Sequence, residues 1–286
     1  MSEQPEAPPA RVRPAYDPGR YWNERLSKDF SLAGAGHSGV GLAFNRWAYR
    51  VRRHVLVRVL RRAGVELQDA RVLELGFGTG FYLELWRELG VGHVSGFDIT
   101  KVAVDAARER FGNTGWRFEE GDIGAPLPLD DTRGTFDLAT AFDVLFHLVE
   151  EKTWEGALDN LSAGLKPGGH ALIFDKFQKK ESGVSHVRRR TLTRYKEALT
   201  ARGFEILGVQ PIFYFMNSPT DLSGLSKLAF KTAWSLVKWP YKIGRPVGLG
   251  DLFGGAAGAL LYGPEVTLSK VCSRGPSTKA LIARKS

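Results

Sequence analysis

Three glycines at alternate positions, Gly76, Gly78 and Gly80, follow an apolar run holding one acid, Glu74, in the stretch VLELGFGTGFY. A glycine-rich turn between a strand and a helix lets the backbone approach a nucleotide-like ligand closely, because no Cβ intervenes. The dinucleotide fingerprint Gly-x-Gly-x-x-Gly would need glycine at position 81, where this chain has Phe81. Two acids follow at the tips of the next strands. Asp98, in GFDIT, is placed to accept both hydroxyls of a ribose. Asp122, in EEGDIGAPLP, can meet an adenine amino group, with Ile123 beside the ring.

Further along, His147 lies four residues after Asp143, so the two can share a face of a helical turn. A histidine titrates near neutrality and can take a proton from a hydroxyl, which makes His147 a candidate base. The competing reading is a histidine packed under the ligand. His186, in SHVRRRTLTRYKEAL, is a second candidate base. In the same stretch Arg188 and Arg190 are candidates to bind a carboxylate or phosphate, with Tyr195 beside them, or else they form a solvated helix start. Asp175 ends the fifth strand and is expected to line the substrate pocket. Lys176 follows it and opposes a metal there, so no metal is assigned.

The elements that must position these groups follow from periodicity. Strands are expected at Arg71–Leu75, Val94–Ile99, Trp116–Glu119, Phe136–Ala141, His170–Phe174 and Phe204–Phe215. Helices are expected at Phe81–Leu89, Lys101–Phe111, Glu151–Leu165 and Thr191–Arg202. Such alternation implies an α/β fold with a doubly wound, largely parallel sheet. Before it, Trp47, Val51, Val55 and Val59 recur at four-residue spacing on an amphipathic helix. The loop Ala33–Gly41 is not a phosphate loop, since no Gly-Lys-Ser/Thr follows, and reads as flexible punctuation or a lid.

The tail run Ala280–Ala283 has strand length. If it pairs beside Phe204–Phe215, the intervening residues are far too many for a hairpin loop and form an insertion with its own helices, one at Leu225–Trp239. The chain thus divides into a disordered tail over 1–16, a helical cap over 17–68, a core over 69–216 plus 277–286, and an insertion over 217–276 covering the substrate site. The insertion's lysines 227, 231 and 238 could rest on anionic lipid. Its apolar run Leu252–Gly263 is too short to cross a bilayer, which takes roughly 20 residues.

Over 286 residues the net charge is +9, but the basic residues are dispersed, so nucleic acid is not the expected partner. One cysteine, Cys272, and an N-terminus without the apolar core of a signal peptide fit a reducing, cytoplasmic setting.

VLELGFGTG, GFDIT, EGDI, FDLATAFDVLFHL and LKPGGHALIFD, in this order and spacing over residues 70–175, resemble the class I S-adenosylmethionine-dependent methyltransferases, and within them the small-molecule branch that includes ubiquinone and menaquinone methyltransferases. The resemblance implies a seven-stranded Rossmann-like sheet whose last strand runs antiparallel, and S-adenosylmethionine as cofactor. It implies that Gly76, Phe77, Gly78 and Gly80 shape the methionine loop, that Glu74 orients loop and ammonium, and that Asp98 with Ile99 holds the ribose. Asp122 with Ile123 would hold the adenine, and the backbone at Phe142 and Asp143 would face the ammonium. Tyr21, in the aromatic segment Tyr21–Trp22, would reach the methionine carboxylate. Relatives that methylate base amines resemble one another in an Asn/Asp-Pro-Pro-aromatic motif after the fourth strand; TAFDVLFHL has none. The expected acceptor is a small or medium organic molecule methylated on oxygen.

Overall fold

The computed structural model describes residues 16–286, so the tail expected over 1–16 lies, but for Tyr16, outside the described residues. In chain order the elements are α1 (Pro18–Lys28), α2 (Leu32–Ala35), α3 (Gly41–Arg62), β1 (Arg71–Leu75), α4 (Phe81–Glu88), β2 (His93–Asp98), α5 (Lys101–Phe111), β3 (Arg117–Glu120), β4 (Phe136–Phe142), α6 (Glu151–Gly164) and β5 (Leu165–Asp175). They continue with β6 (Ser182–Val184), β7 (Val187–Arg189), α7 (Leu192–Thr200), β8 (Phe204–Pro211), α8 (Gly224–Gly244), α9 (Gly250–Val271) and β9 (Lys279–Lys285).

The main sheet has seven strands in the order β3-β2-β1-β4-β5-β9-β8. Neighbours are parallel from β3 to β5, while β9 runs antiparallel to both β5 and β8. Strand alternation divides the core in two. Val72, Leu138, Leu172 and Ile282 face one side, with α3, α4 and α5 over them. Leu73, Ala139, Ile173 and Leu281, their sequence neighbours, face the other side under α6 and α7. Both faces being covered, each central strand reads as a continuous apolar run rather than an alternating one.

Three segments differ from the sequence reading. The stretch Ala33–Gly41 is not a loose loop: it holds α2 and a 3-10 turn at Ser38–Val40. Arg25 donates to the carbonyls of Gly34 (2.6 Å) and Gly36 (3.1 Å), and Asn45 donates to those of His37 (2.9 Å) and Gly41 (2.7 Å), so its backbone is satisfied in place. Strand β8 stops at Pro211, short of Phe215, although the Ile212 N–H still donates to the Thr278 carbonyl (2.9 Å). The next free donors, the N–H groups of Tyr214, Phe215 and Met216, go instead to the carboxylate of Glu265 on α9, at 2.7, 2.5 and 2.5 Å. Burial pushes the Glu265 carboxyl up to about 7 against the pull of those donors. Between β5 and α7, the chain makes the short hairpin β6–β7 rather than a plain lead-in to the helix.

The residues between β8 and β9 fold as a helical hairpin. Helix α9 lies along α3, anchored where Arg58 donates to the carbonyl (2.7 Å) and hydroxyl (3.0 Å) of Ser269. Helix α8 turns Trp234 inward against His37, with ring centroids 5.2 Å apart. Among the described residues, no helix is long and apolar enough to cross a membrane.

Candidate functional site

The carboxyl ends of β1, β2 and β4 open onto a chamber floored by the glycine turn. Gly76 adopts φ +73° and Gly78 φ +52°, values that L side chains seldom reach. A Cβ on Gly76 would stand 2.6 Å from Val144, so the turn packs there with nothing to spare. A Cβ on Gly78 would meet nothing within 4 Å: it would project into the chamber, where a bound molecule has room to lie on bare backbone. Gly80 sits behind the turn as the N-cap of α4.

Asp98 ties the two strand ends together. Its carboxylate accepts from the Gly78 N–H (2.8 Å), the Thr100 N–H (2.9 Å) and the Thr100 hydroxyl (2.7 Å). Burial raises its pKa while these donors hold it down. A carboxylate has about four acceptor sites, so one stays free for a ligand hydroxyl. Asp122 folds its own turn through the Gly124 N–H (2.8 Å) at the chamber rim, and Ile123 is buried behind it. The turn is pinned from α6 by Asn160, which donates to the carbonyls of Ile123 (2.9 Å) and Ala125 (2.7 Å) and accepts from the Leu127 N–H (3.2 Å). Asn160 sits amid a helix pattern with no local signal to mark it.

Gly76, Phe77, Gly78, Asp98, Ile99, Asp122, Ile123, Phe142 and Asp143 line this chamber together. Glu74 does not. It is buried beneath the turn, its carboxylate bonded to the Trp86 indole N–H, and burial pushes it up to about 8. Tyr21 does not line this chamber either; its hydroxyl accepts from Arg25 (3.1 Å) in the neighbouring one. Of the expected aromatic segment it is Trp22, not Tyr21, that lines the first chamber; Tyr49, Tyr82, Thr100 and Val144 line it without having been singled out in the sequence.

A second chamber adjoins the first, sharing Trp22, Ala35, Tyr49, Asp143 and His147 as a common wall. Asp143 holds φ +55°, a conformation that costs a non-glycine residue about 1 kcal/mol. Its N–H donates to the Phe174 carbonyl (2.8 Å) and its carboxylate pairs with Arg52 of α3. His147 ends a 3-10 turn at Leu145–His147. Its Nδ1 stands 3.0 Å from the His186 carbonyl, which can only accept, so Nδ1 carries the proton and Nε2 has the free lone pair. Burial, reinforced by Lys176, His186 and Arg25, pushes its pKa down to about 3. Trp22 meets its ring edge-on at 4.8 Å, and His186 stacks on Tyr21 at 5.3 Å. The two candidate bases are therefore brought onto one aromatic wall.

The residues proposed from sequence for the substrate are not. Asp175 is buried under the opposite face of the sheet, bonded to the Tyr195 hydroxyl, with its carboxyl pushed up to about 7 by burial. Arg190 is fully buried against Glu151 (3.0 Å) and the Leu148 carbonyl (3.1 Å), where it fixes the start of α6. Arg188 points outward to Glu181 (3.2 Å). Instead Lys176 and Arg189, one residue away in each case, line the second chamber. Among the described residues, no three metal-ligating side chains converge.

A seven-stranded sheet with a reversed penultimate-position strand, carrying a glycine turn and acidic strand tips at its carboxyl ends, defines a class I S-adenosylmethionine-dependent methyltransferase fold. Residues 72–169 match the family model described as a methyltransferase domain. The O-methyltransferase cnsE of Penicillium expansum is 30% identical over 127 residues, 41% of this chain and 43% of that protein. The ribosomal protein L11 methyltransferase of Symbiobacterium thermophilum is 30% identical over 131 residues, 46% of this chain and 36% of that protein. The chain thus spans less than half the length of the curated relatives it matches. The solved structure of the [4+2]-cyclase SpnF superposes with a TM-score of 0.51 at 23% identity, covering 82% of this chain and 80% of that one, a likeness of fold.

Proposed function

We propose that this chain transfers a methyl group from S-adenosylmethionine to a small or medium organic acceptor, on oxygen by preference, with the cofactor in the first chamber and the acceptor in the second. The observation that carries this reading is the shared wall: one cavity offers bare glycine backbone and acidic tips, and the next opens beside it across His147 and Asp143. When bound, the cofactor supplies an electrophilic sulfonium methyl. Asp98 would take a ribose hydroxyl and Asp122 the adenine amine, while Phe142 and Asp143 border the methionine end. His147 would receive the acceptor's proton at Nε2, and Trp22 would exclude water from the seam. His186 and Tyr21 would support His147 by stacking and backbone contact. The O-methyltransferase relative favours oxygen; carbon methylation, as in the quinone-methylating branch, is the alternative chemistry.

Calorimetry with S-adenosylmethionine tests the donor half. Asp98→Ala is expected to weaken binding roughly tenfold or more, the worth of a hydrogen bond to a charged group. Unchanged affinity would remove the donor assignment. The cyclase fold relative gives a rival outcome: tight cofactor binding without methyl loss in the presence of acceptors would mark a non-methylating scaffold.

The helical hairpin supports a second reading, peripheral contact with anionic lipid. On α8, Leu225, Leu228, Leu236, Trp239 and Ile243 recur at helical spacing on the side opposite the buried Trp234, and are 48–85% exposed. Lys227, Lys231, Lys238 and Lys242 run along one border of that stripe. A second copy packed through the same face would bring equivalent lysine rows toward each other, which disfavours self-association. Co-sedimentation of the full chain with phosphatidylcholine vesicles, with and without phosphatidylserine, tests it. Salt-sensitive binding to the anionic vesicles, abolished by Trp239→Glu, is expected. Binding to neither kind of vesicle, or a concentration-dependent dimer broken by Trp239→Glu, would overturn it.

A further inference from the structure

The second chamber is lined by four permanent cations and one carboxylate: Arg25, Arg52, Lys176 and Arg189 against Asp143. Two of the cations are already committed. Arg52 pairs with Asp143. Arg25 spends its guanidinium on the Gly34 and Gly36 carbonyls and the Tyr21 hydroxyl. Lys176 and Arg189 are not. Neither makes an ion pair with a described residue, and the Lys176 ammonium lies over the Phe146 ring, 5.2 Å from its centroid. The Arg189 Nε is buried with no hydrogen-bond partner. Lys176 follows β5 and Arg189 ends β7, so two separate elements send cations to one cavity.

Like charges facing each other across a part-buried cavity, with donors unused, are costly unless an anion joins them. Burial pulls the Lys176 pKa down; Asp143 and Asp175 pull back against it, and Arg189 and Arg52 push it further down. Asp143, the one carboxylate on this wall, draws on Lys176 but is paired with Arg52, so neither Lys176 nor Arg189 has an ion-pair partner of its own, whereas the stretch around them has supplied carboxylates for its other arginines: Glu151 and Glu155 for Arg194, Glu151 for Arg190 and Glu181 for Arg188. Within one short segment the arginines facing outward or into the core are partnered, and the one facing the chamber is not.

We propose that Lys176 and Arg189 form an oxyanion cradle, and that the methyl acceptor carries a carboxylate or phosphate which they hold while its nucleophile faces His147. This rests on the methyltransferase reading above. The cradle also bears on the base. Burial depresses His147, Lys176 and Arg25 add to it, and Asp143 with its partner Arg52 lies on the same wall. An acceptor anion seated among them offsets that field and makes Nε2 more basic when, and only when, the acceptor is present.

The test uses the full chain saturated with S-adenosylhomocysteine, titrated with benzoate, phenyl phosphate and neutral benzamide. One or both anions are expected to bind at least tenfold more tightly than benzamide, and which one does separates carboxylate from phosphate. Arg189→Gln and Lys176→Met are each expected to erase that preference, Arg189→Lys to keep most of it, and all three to bind S-adenosylhomocysteine within about twofold of the parent chain. That last measurement also shows each variant is folded. Equal binding of the three probes overturns the cradle. So does a fall in S-adenosylhomocysteine affinity in Arg189→Gln and Lys176→Met, which would give the two cations to the cofactor's own carboxylate. If the parent chain fails to bind S-adenosylhomocysteine at all, the methyltransferase reading itself falls, a result distinct from either.

Discussion

The first chamber takes its floor from the Gly76–Tyr82 turn and the adjoining carboxyl ends of β2, β3 and β4, with α1, α2 and α3 closing over it, whereas the second is assembled from α1, the turn at Ser38–Val40, α3, the residue after β5 and the hairpin β6–β7. Their electrostatics differ as well. Asp98 and Asp122 place carboxylates on the first chamber, while the second collects cations and a histidine kept neutral by burial. The floor of a site for a cofactor with a fixed shape can be written into local motifs at strand ends. A site for a particular acceptor is put together from segments distant in sequence, each free to vary.

The contrast can be broken or sharpened by substitution. The largest effect is expected from His147→Ala, which should lower turnover by roughly 10²–10⁴-fold, the usual worth of general-base catalysis, while S-adenosylhomocysteine affinity stays within a few-fold. Intact turnover would remove the base and leave the donor chamber untouched. Next comes a pair of glycine replacements. Gly76→Ala puts a Cβ 2.6 Å from Val144 as well as straining φ, and should destabilise the fold by about 2 kcal/mol or more in urea titration. Gly78→Ala pays only for its φ, about 1 kcal/mol, and should lose cofactor affinity out of proportion to stability.

Smaller and opposite in sign are two pH effects. Glu74 is raised to about 8 from an ordinary 4.5, so the folded chain binds its proton more tightly than the unfolded chain. Its contribution to stability is therefore present at low pH and lost as pH rises from about 4.5 towards 8. His147 is lowered to about 3 from 6.5, so its penalty appears as pH falls from about 6.5 towards 3. Thermal melts across pH should show Glu74→Gln flattening the alkaline limb and His147→Gln the acid limb. If both substitutions act on the same limb, the two chambers do not differ as described.

The central strands, the tail strand beside β8 and the glycine turn are legible in the sequence because each depends on local pattern: apolar runs of strand length, glycines before a helix, acids at strand tips; the reversal of the last strand follows only from the family resemblance. The second chamber is not legible, and its misses share one cause. Asp175 was chosen where Lys176 faces the cavity, and Arg188 and Arg190 where Arg189 does. Successive residues of an extended chain point to opposite sides, so an error of one position exchanges inside for outside. In the sequence the stretch Ser182–Arg189 reads as the start of the helix that follows, and without the hairpin no alternation is assignable. The firm backbone of Ala33–Gly41 was equally hidden, since Arg25 and Asn45, which hold it, lie outside the glycine-rich run.

The placement of β9 between β5 and β8 sets a timetable for the sheet. During synthesis β5 and β8 both emerge before the strand that joins them, with the whole α8–α9 hairpin still to be made. Until β9 arrives, β5 offers an open apolar edge of the kind that recruits foreign strands. β8 then has no neighbour at all. The order of translation thus leaves the sheet's gap to be filled last, and a ribosome pausing in the α8–α9 segment should hold the nascent chain where it most needs a chaperone.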